Sequence, residues 1–75
     1  MKDLLEYIAR RLVEHPDQVE VDVIDGDRSV VLELRVDPDD MGRVIGRQGR
    51  VAQALRTLVK VAAVRDGRRV TVEIV

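Results

Sequence analysis

The chain of 75 residues contains no cysteine, so neither a disulfide nor a thiolate zinc site can stabilise its fold. Apolar residues make up 45% and charged residues 36%, a composition typical of a folded globular domain and not of a disordered tail. Neither a basic leader followed by an apolar stretch nor an apolar run of about 18 residues occurs, which argues against a membrane partner. We therefore expect one soluble, cytoplasmic domain that comprises residues 1–75.

The net charge of −1 conceals an uneven distribution along the chain. Residues 1–40 carry twelve acidic and five basic groups, whereas residues 41–75 carry eight basic and two acidic groups. This separation of sign favours a molecule with one surface that attracts anions and another that repels them. The alternative is that the two halves interleave in space and neutralise each other.

The first half of the chain predicts a helix followed by a β-hairpin. Apolar residues recur at helical spacing over residues 3–14, Asp3 is placed to cap this helix, and Pro16 stops it. Residues 19–23 alternate between valine and acidic side chains, which is the pattern of a half-buried strand. A second alternating strand spans residues 29–36, and the short polar segment between the strands predicts a turn.

The second half begins with a helix-start signature. Asp37 can accept backbone N–H bonds as the cap, and the proline after it fits the first helical position. A short helix then runs to about Ile45, and a longer one covers about residues 50–64. Between the two helices stands the interruption Gly46-Arg47-Gln48-Gly49.

The remaining residues predict a turn at Asp66-Gly67 and a last strand over residues 70–74. The elements therefore follow the order α-β-β-α-α-β. Three strands with one apolar face each, together with amphipathic helices, predict an α+β fold in which a three-stranded sheet packs against three helices.

The interruption between the two helices carries the residue types of a phosphate-binding loop. Gly46 lies where a left-handed helix end is expected, and Gly49 lies where the next helix begins, with unpaired N–H groups that favour an anion. Arg47 adds a forked cation and Gln48 a hydrogen-bond donor. Two further arginines flank the loop, Arg43 and Arg50. The pattern favours binding of a sugar–phosphate backbone, although a tight glycine-rich corner between helices would share the bare G-x-x-G spacing.

The segment Val44-Ile45-Gly46-Arg47-Gln48-Gly49-Arg50 resembles the signature loop of KH domains, whose GXXG loop clamps four nucleotides of a single strand. The element order resembles the type II form of that fold. The longer string "DDMGRVIGRQGRVAQALRTLVKVAA" is similar to the small stand-alone bacterial KH proteins. The resemblance implies single-stranded RNA as the partner, low sequence specificity, and a role as an RNA chaperone or post-transcriptional regulator. It also implies a homodimer or a complex with a second KH-containing protein.

Carried over position by position, the resemblance also implies which residues contact RNA. They are the clamp and its neighbours: Val44, Ile45, Gly46, Arg47, Gln48, Gly49, Val51, and the flanking Arg43 and Arg50. Leu34 and Val36 of the second strand are candidates for the far wall of the base-binding groove. For the apolar residues of this set, a place in the core explains the sequence equally well. The sequence has no phenylalanine or tryptophan, which argues against recognition by an aromatic stacking platform.

Other classes of site fit the residues less well. No pair of glycines has the Gly-x4-Gly-Lys spacing of a nucleotide-binding loop. The acids Asp37, Asp39 and Asp40 could be imagined as magnesium ligands, but helix capping accounts for them with fewer assumptions. His15 is the only histidine and no cysteine is present, so a nucleophile–base arrangement has little to draw on. We expect no catalytic activity, no cofactor and no small-molecule substrate.

The long second-half helix leaves two interpretations open. Its apolar residues cover more than one face, which favours a surface for a partner subunit, while a helix packed on both sides would show the same pattern. A DNA-reading helix-turn-helix is a further alternative, but this helix offers few polar groups to read base edges. A protein-interaction or dimerisation module, with RNA binding secondary, remains the rival function.

Overall fold

The computed structural model describes residues 1–64 and 67–75. The elements follow the predicted order: α1 Lys2–Leu12, β1 Glu20–Asp25, β2 Ser29–Arg35, α2 Met41–Ile45, α3 Arg50–Ala63 and β3 Arg69–Ile74. Short 3-10 turns precede β1, α2 and α3, at Pro16–Gln18, Pro38–Asp40 and Arg47–Gly49. Asp66, half of the predicted turn before β3, lies outside the described residues. The predicted α+β architecture of three helices and three strands is confirmed.

The start of α1 differs from the sequence prediction in one respect. The helix begins at Lys2, its first hydrogen bond runs from the Leu5 N–H to the Met1 carbonyl, and no side chain caps it. The prediction that Asp3 caps the helix is therefore wrong, because Asp3 lies inside the first turn. Its charge still complements the positive end of the helix. Leu5 and Ala9, one turn apart, are fully buried and attach α1 to the rest of the molecule.

The start of α2 is capped as predicted. The Asp39 N–H donates to Asp37 Oδ1 over 2.9 Å, and Pro38 occupies the first position, where its missing N–H leaves no bond unmade. The first turn is 3-10 and becomes α-helical at Met41. This cap places the beginning of α2 directly after β2.

The sheet has the strand order β1-β2-β3, with β1 antiparallel and β3 parallel to the central β2. A parallel neighbour requires a crossover, which α2 and α3 provide. β3 is therefore an edge strand beside α3, with which it makes extensive contact. The helix–strand pair forms one border of the molecule.

One face of the sheet carries the core. Side chains of alternate strand residues meet buried residues of all three helices, so the hydrophobic faces close on each other. The largest buried apolar side chains are Leu5, Leu32, Leu34, Val44, Leu55 and Val59. Each such side chain contributes about 1.5–3 kcal/mol by leaving water. Leu55→Ala would open a cavity beneath α3 and cost about 2–5 kcal/mol.

The opposite face of the sheet is polar and acidic. The strand register aligns Asp22, Glu33 and Glu73 side by side across all three strands. Like charges in directly opposed positions destabilise a sheet, and Arg35, 3.6 Å from Asp22, offsets this only at one end. This acidic row concentrates negative charge on the face that is remote from the helices.

Candidate nucleic-acid interface

The backbone of the loop between α2 and α3 requires glycine at both ends. The Gly46 N–H donates to the Gly42 carbonyl over 2.9 Å as the last bond of α2, and the chain then turns with Gly46 at φ 76° and ψ 173°. Gly49 lies at φ 75° and ψ 15°, in the left-handed region that precedes α3. Such values are readily adopted only by glycine. The prediction that a new helix begins at Gly49 is confirmed, whereas the predicted left-handed helix end at Gly46 is wrong, because Gly46 combines its positive φ with an extended ψ of 173°.

The two glycines differ in their surroundings. A Cβ atom on Gly46 would lie 2.4 Å from Val51 Cγ2 and 2.9 Å from the Val51 backbone nitrogen. A Cβ atom on Gly49 would meet nothing within 4 Å. Gly46 therefore permits a close approach between the loop and α3, while Gly49 leaves open space at the surface of the loop.

The two residues between the glycines are presented to solvent. Arg47 and Gln48 are both exposed, and Gln48 has a left-handed conformation with φ 57°. A non-glycine residue there costs of order 1 kcal/mol, and such strain is characteristic of binding loops. Within residues 1–64 and 67–75, Arg47 makes no ion pair, and neither does Arg50 at the start of α3. The loop thus offers two unpaired guanidinium groups.

The apolar neighbours of the loop fall into different classes. Val44 is fully buried in the core, so its side chain is closed to a ligand in this structure. Val51 is half-buried against Gly46, while Ile45 is 40% exposed immediately before the loop. Of the apolar residues predicted to contact RNA, Ile45 alone presents a substantial surface.

Arg43 was predicted to extend the positive field of the loop, and its contacts point elsewhere. Its guanidinium lies 2.6 Å from Glu14 Oε1 and 3.4 Å from Asp40 Oδ1. Likewise Arg68 lies 2.8 Å from Asp25. Part of the basic second half is therefore neutralised by the acidic first half, as the alternative interpretation of the charge pattern proposed. Arg47 and Arg50 escape this neutralisation.

A groove runs along α3 beside the edge strand β3 and encloses about 470 Å³. Its helix wall consists of residues that recur at i, i+3, i+4 and i+7, which places them on one flank. They are Gln53, Arg56, Thr57 and Lys60, and the strand wall is formed by Arg69, Val70, Thr71 and Val72. Arg50, one turn before Gln53, connects this flank to the loop. Three basic residues, Arg56, Lys60 and Arg69, line the groove, and its lining contains no aromatic side chain.

One contact fixes the floor of this groove. Arg56 Nε donates to the carbonyl oxygen of Val72 over 3.3 Å, so the helix and the strand edge are joined by a charged side chain. This bond satisfies a main-chain acceptor that an edge strand otherwise exposes. Arg56 is consequently held in place with its guanidinium in the groove.

Leu34 and Val36, the candidates for the far wall of the base-binding groove, do not line this groove. Leu34 is fully buried and pairs with Ile74 in the middle of the sheet, and Val36 is half-buried beyond the end of β2. Because β2 is central and β3 forms the edge beside α3, β3 provides the wall instead. The polar residues on one flank of α3 were the sequence signal that could have indicated this groove.

A second polar cluster lies at the other end of α2. Asp40 is 1% exposed and accepts from the N–H groups of Glu14 and His15 at 3.1 and 3.0 Å, and His15 Nδ1 lies 2.9 Å from its Oδ2. Burial alone would raise the pKa of Asp40, but these hydrogen bonds outweigh it and lower that pKa. The hydrogen bond to Asp40 raises the pKa of His15, and the carboxylates of Asp37 and Asp39 add to this effect.

Among the described residues, no three histidine, cysteine or acidic side chains come together as a metal site. No helix in the described part of the chain has the length and apolar character needed to cross a bilayer.

The βααβ unit with a GXXG loop between its helices, preceded by one helix and one strand, defines a KH domain of type II. The family model described as "KhpA/KhpB, KH domain" matches residues 2–74. The chain belongs to this family, and the resemblance inferred from the loop and the element order is confirmed.

Relatives from several bacteria align over the length of the chain. "RNA-binding protein KhpA" of Clostridium acetobutylicum is 56% identical over 75 residues, which is all of both chains. The protein of the same name from Aquifex aeolicus is 49% identical over 74 residues, 99% of this chain and 94% of its own. The Leifsonia xyli protein of that name is 54% identical over 71 residues, 95% of this chain and 91% of its own.

The fold also occurs within larger solved proteins. An Aquifex aeolicus Era variant bound to GDP and aluminium fluoride superposes with a TM-score of 0.67 and 20% identity over 97% of this chain. Era in complex with MgGDPNP and nucleotides 1506–1542 of 16S ribosomal RNA gives the same TM-score at 21% identity over 97% of this chain. The chain spans 28% of each of these Era chains, and at this identity the likeness shows the fold alone.

Proposed function

We propose that this protein is a non-catalytic, cytoplasmic KH domain that binds single-stranded RNA through Gly46–Gly49 and the groove between α3 and β3. The observation that carries the proposal is the loop itself: two glycines with positive φ frame an exposed arginine, Arg47, that has no ion pair within residues 1–64 and 67–75. The names of the KhpA relatives, which are RNA-binding proteins, support it. We place its role in RNA chaperoning or post-transcriptional regulation.

In this proposal the loop holds phosphates. The first hydrogen bond within the loop runs from the Gly49 N–H to the Gly46 carbonyl over 3.1 Å. The N–H groups of Arg47 and Gln48 come before this donor in the turn, and they are therefore free to bind an anion. The Arg47 guanidinium supplies a forked charge–phosphate contact, and Arg50 adds a second cation one turn onward. The open space at Gly49 lets the sugar–phosphate backbone approach the main chain.

The groove receives the bases. Gln53 and Thr57 on the helix wall offer hydrogen-bonding groups, and Ile45, directly before the loop, offers an exposed apolar surface. Since no aromatic residue lines the groove, bases are not stacked on a fixed platform, and selectivity between them is low. The charged residues Lys60 and Arg69 continue the positive field along the strand.

The number of cations sets the expected strength. Neutralising three or four phosphates of a single strand gives a log–log salt slope of about −2 to −3. Binding driven mainly by backbone charge has a Kd of roughly 10⁻⁴ to 10⁻⁶ M. A titration of a short oligonucleotide at several salt concentrations measures both values, and absence of salt-dependent binding at low ionic strength would favour the protein-interaction module instead.

The loop is tested by reversing its charge. Arg47→Asp with Gln48→Asp should abolish RNA binding, because phosphate then meets two carboxylates. Both side chains are exposed, so the melting temperature should barely move. The matched control is Arg28→Asp with Gln18→Asp, which makes the same chemical changes at exposed positions away from the loop. Unchanged affinity in the loop variant, or an equal loss in the control, would contradict the assignment.

A second function, self-association, rests on the other flank of α3. Leu58 and Val61 are 48% and 66% exposed and, with Ala54, form an apolar stripe at i, i+4 and i+7. We infer that a second copy of the chain covers this stripe, since the stripe lies apart from the groove and two copies would double the number of RNA sites. Linked sites raise avidity without new contacts. A second KH-containing protein is the alternative occupant.

Sedimentation analysis of Val61→Asp tests this surface. The variant should be monomeric where the parent protein is dimeric, because a carboxylate would be buried unpaired in the interface. Val75→Asp, at a valine that is 47% exposed outside the stripe, is the control. A monomeric parent protein at all accessible concentrations would contradict the homodimer and leave the heteromeric complex.

A further inference from the structure

Asp40 is the buried charged residue of the described chain, and four nitrogen atoms surround its carboxylate, two of them main-chain donors. Oδ1 accepts from the Glu14 N–H over 3.1 Å and lies 3.4 Å from Arg43 Nε. Oδ2 accepts from the His15 N–H over 3.0 Å and lies 2.9 Å from His15 Nδ1. The carboxylate therefore joins the segment after α1 to the first residues of α2, across 25 or 26 positions of sequence.

The position of Asp40 matters because α2 is short. The helix has five residues, about 7.5 Å of length, and a helix of that size has little stability of its own. Contacts at its two ends must therefore set its orientation. Asp40 holds the beginning, and at the other end Val44 enters the core and Gly46 packs against Val51.

The GXXG loop starts at the residue that follows α2. If α2 lost its contacts at Asp40, the helix could tilt, and Gly46 would move relative to α3. This movement would displace the N–H groups of Arg47 and Gln48 from a bound phosphate. A misplacement of about 1 Å at a binding site can reduce the strength of a positioned contact substantially. The contacts of Asp40 are thus connected to the loop through a single helical element.

We propose that Asp40 is a positioning residue for the GXXG loop, and that the charge on His15 makes the affinity of the loop for single-stranded RNA depend on pH. This inference rests on the function proposed above. The groups that face His15 are the carboxylates of Asp37, Asp39 and Asp40 at the start of α2, with Glu14 beside it and Arg43 on α2.

The direction of the pH effect follows from these contacts. Protonated His15 forms an ionic hydrogen bond with Asp40, whereas the neutral ring keeps at most a neutral donor there. Because the pKa of His15 is raised above 6.5, the charged form persists to a higher pH than in a free imidazole and is lost as the pH rises through that pKa. RNA affinity should consequently fall as the pH rises from about 5 to 8.

The test compares Asp40→Asn and His15→Gln with the parent protein. The probe is an oligouridine without terminal phosphate groups, so that neither its bases nor its phosphates titrate in this pH range. Its binding is measured by fluorescence anisotropy at a temperature where each protein is folded. Asp40→Asn keeps the shape of the side chain but replaces one carboxylate oxygen by an NH₂ group. This group cannot accept a hydrogen bond from the N–H of Glu14 or His15 that it would face. Its Kd should rise about 2- to 30-fold, the range for changes in a coupled contact network.

His15→Gln retains the main-chain bonds and should fold even if Asp40→Asn does not. The Kd of the parent protein should rise about 2-fold or more between pH 5 and 8, and that of His15→Gln should stay constant. Amide NMR shifts of Gly46 and Gly49 should move in both variants, which a purely stabilising role would not produce. Lower melting temperatures with unchanged Kd, unchanged loop shifts and the parent pH profile would overturn the proposal.

The same experiment separates this inference from the function on which it rests. If the parent protein does not bind oligouridine at low salt, the RNA-binding assignment fails, and the loop shifts of the two variants still report whether Asp40 positions the loop. If the parent protein binds but Asp40→Asn binds equally well, RNA binding stands and the positioning role is wrong.

Discussion

Adding one methyl group to Gly46 or to Gly49 separates two physical reasons for a glycine in the loop. Both residues have φ near +75°, so alanine is strained at either position. Only at Gly46 would the new Cβ atom also overlap a neighbour, since it would lie 2.4 Å from Val51 Cγ2. We expect Gly46→Ala to destabilise the fold considerably more than Gly49→Ala.

The magnitudes follow from these two terms. Gly49→Ala pays for the left-handed conformation alone, about 1–2 kcal/mol. Gly46→Ala adds an overlap with side chain and backbone of Val51, for which overpacking costs of about 1–3 kcal/mol are typical, and its backbone region is more strictly confined to glycine. Its total of about 2–6 kcal/mol approaches the entire stability of about 4–11 kcal/mol expected for a domain of this length.

Circular dichroism measures the effect of both substitutions, as the free energy of unfolding in urea and as the melting temperature on heating. Gly49→Ala should lower the melting temperature by about 4–16 °C, and Gly46→Ala by more or to the point of unfolding. In a double-mutant cycle, Val51→Ala should cost less in the Gly46→Ala background than in the parent protein, because it removes the 2.4 Å contact. Equal destabilisation by the two single substitutions would refute the close approach of loop and helix.

Two further predictions concern charge. The pKa of His15 is raised above 6.5, so its contribution to stability is fully present below about pH 6.5 and is lost as the pH rises through the folded pKa. The lowered pKa of Asp40 acts in the opposite sense: its contribution is present above about pH 3.8 and disappears as the pH falls through the folded value. Urea unfolding from about pH 2 to 8 should show a free energy of unfolding that decreases below about pH 3.8 and again as the pH rises above about 6.5, and a flat alkaline side in the parent protein would contradict the ion pair. On the sheet, Glu33→Gln should raise the free energy of unfolding by about 0.2–1 kcal/mol, because it removes the negative charge that lies between those of Asp22 and Glu73. A lower free energy of unfolding for this variant at low salt would show that repulsion within the acidic row is unimportant.

The acidic row has a consequence for RNA as well. Asp22, Glu33 and Glu73 lie on the face of the sheet that is opposite to the helices, whereas Arg47 and Arg50 lie at the loop. A phosphate chain is repelled from the first surface and attracted to the second. The separation of charge along the sequence therefore survives folding in part, although Arg43 and Arg68 are neutralised by acids of the first half.

Local patterns determined most of the architecture. Alternation of valine with acids specified β1, and apolar spacing specified α1 and α3, because these periodicities depend only on which face a side chain takes. Asp37 with Pro38 marked the start of α2 since a cap acts within a few residues. The position of the GXXG loop was equally visible, because glycine is the residue that adopts positive φ most readily.

Tertiary structure decided which of these side chains are available. Asp40 resembled an ordinary acid at a helix start, but residues 25 and 26 positions earlier in the chain bury it, and no local pattern could indicate that contact. Val44 beside the loop is enclosed by the core, and Arg43 is held by Glu14. These outcomes depend on where α1 packs, a property of the assembled molecule.

The groove shows the same division. The helical spacing of polar residues such as Gln53 and Thr57 in the sequence predicts the polar flank of α3. That β3 and not β2 completes it depends on strand order, which the crossover through α2 and α3 establishes. The sequence by itself determined the elements and the loop, because those obey short-range rules. The structure decided the neighbours of each charge and the second wall of the groove, because burial and strand order join residues that are distant along the chain.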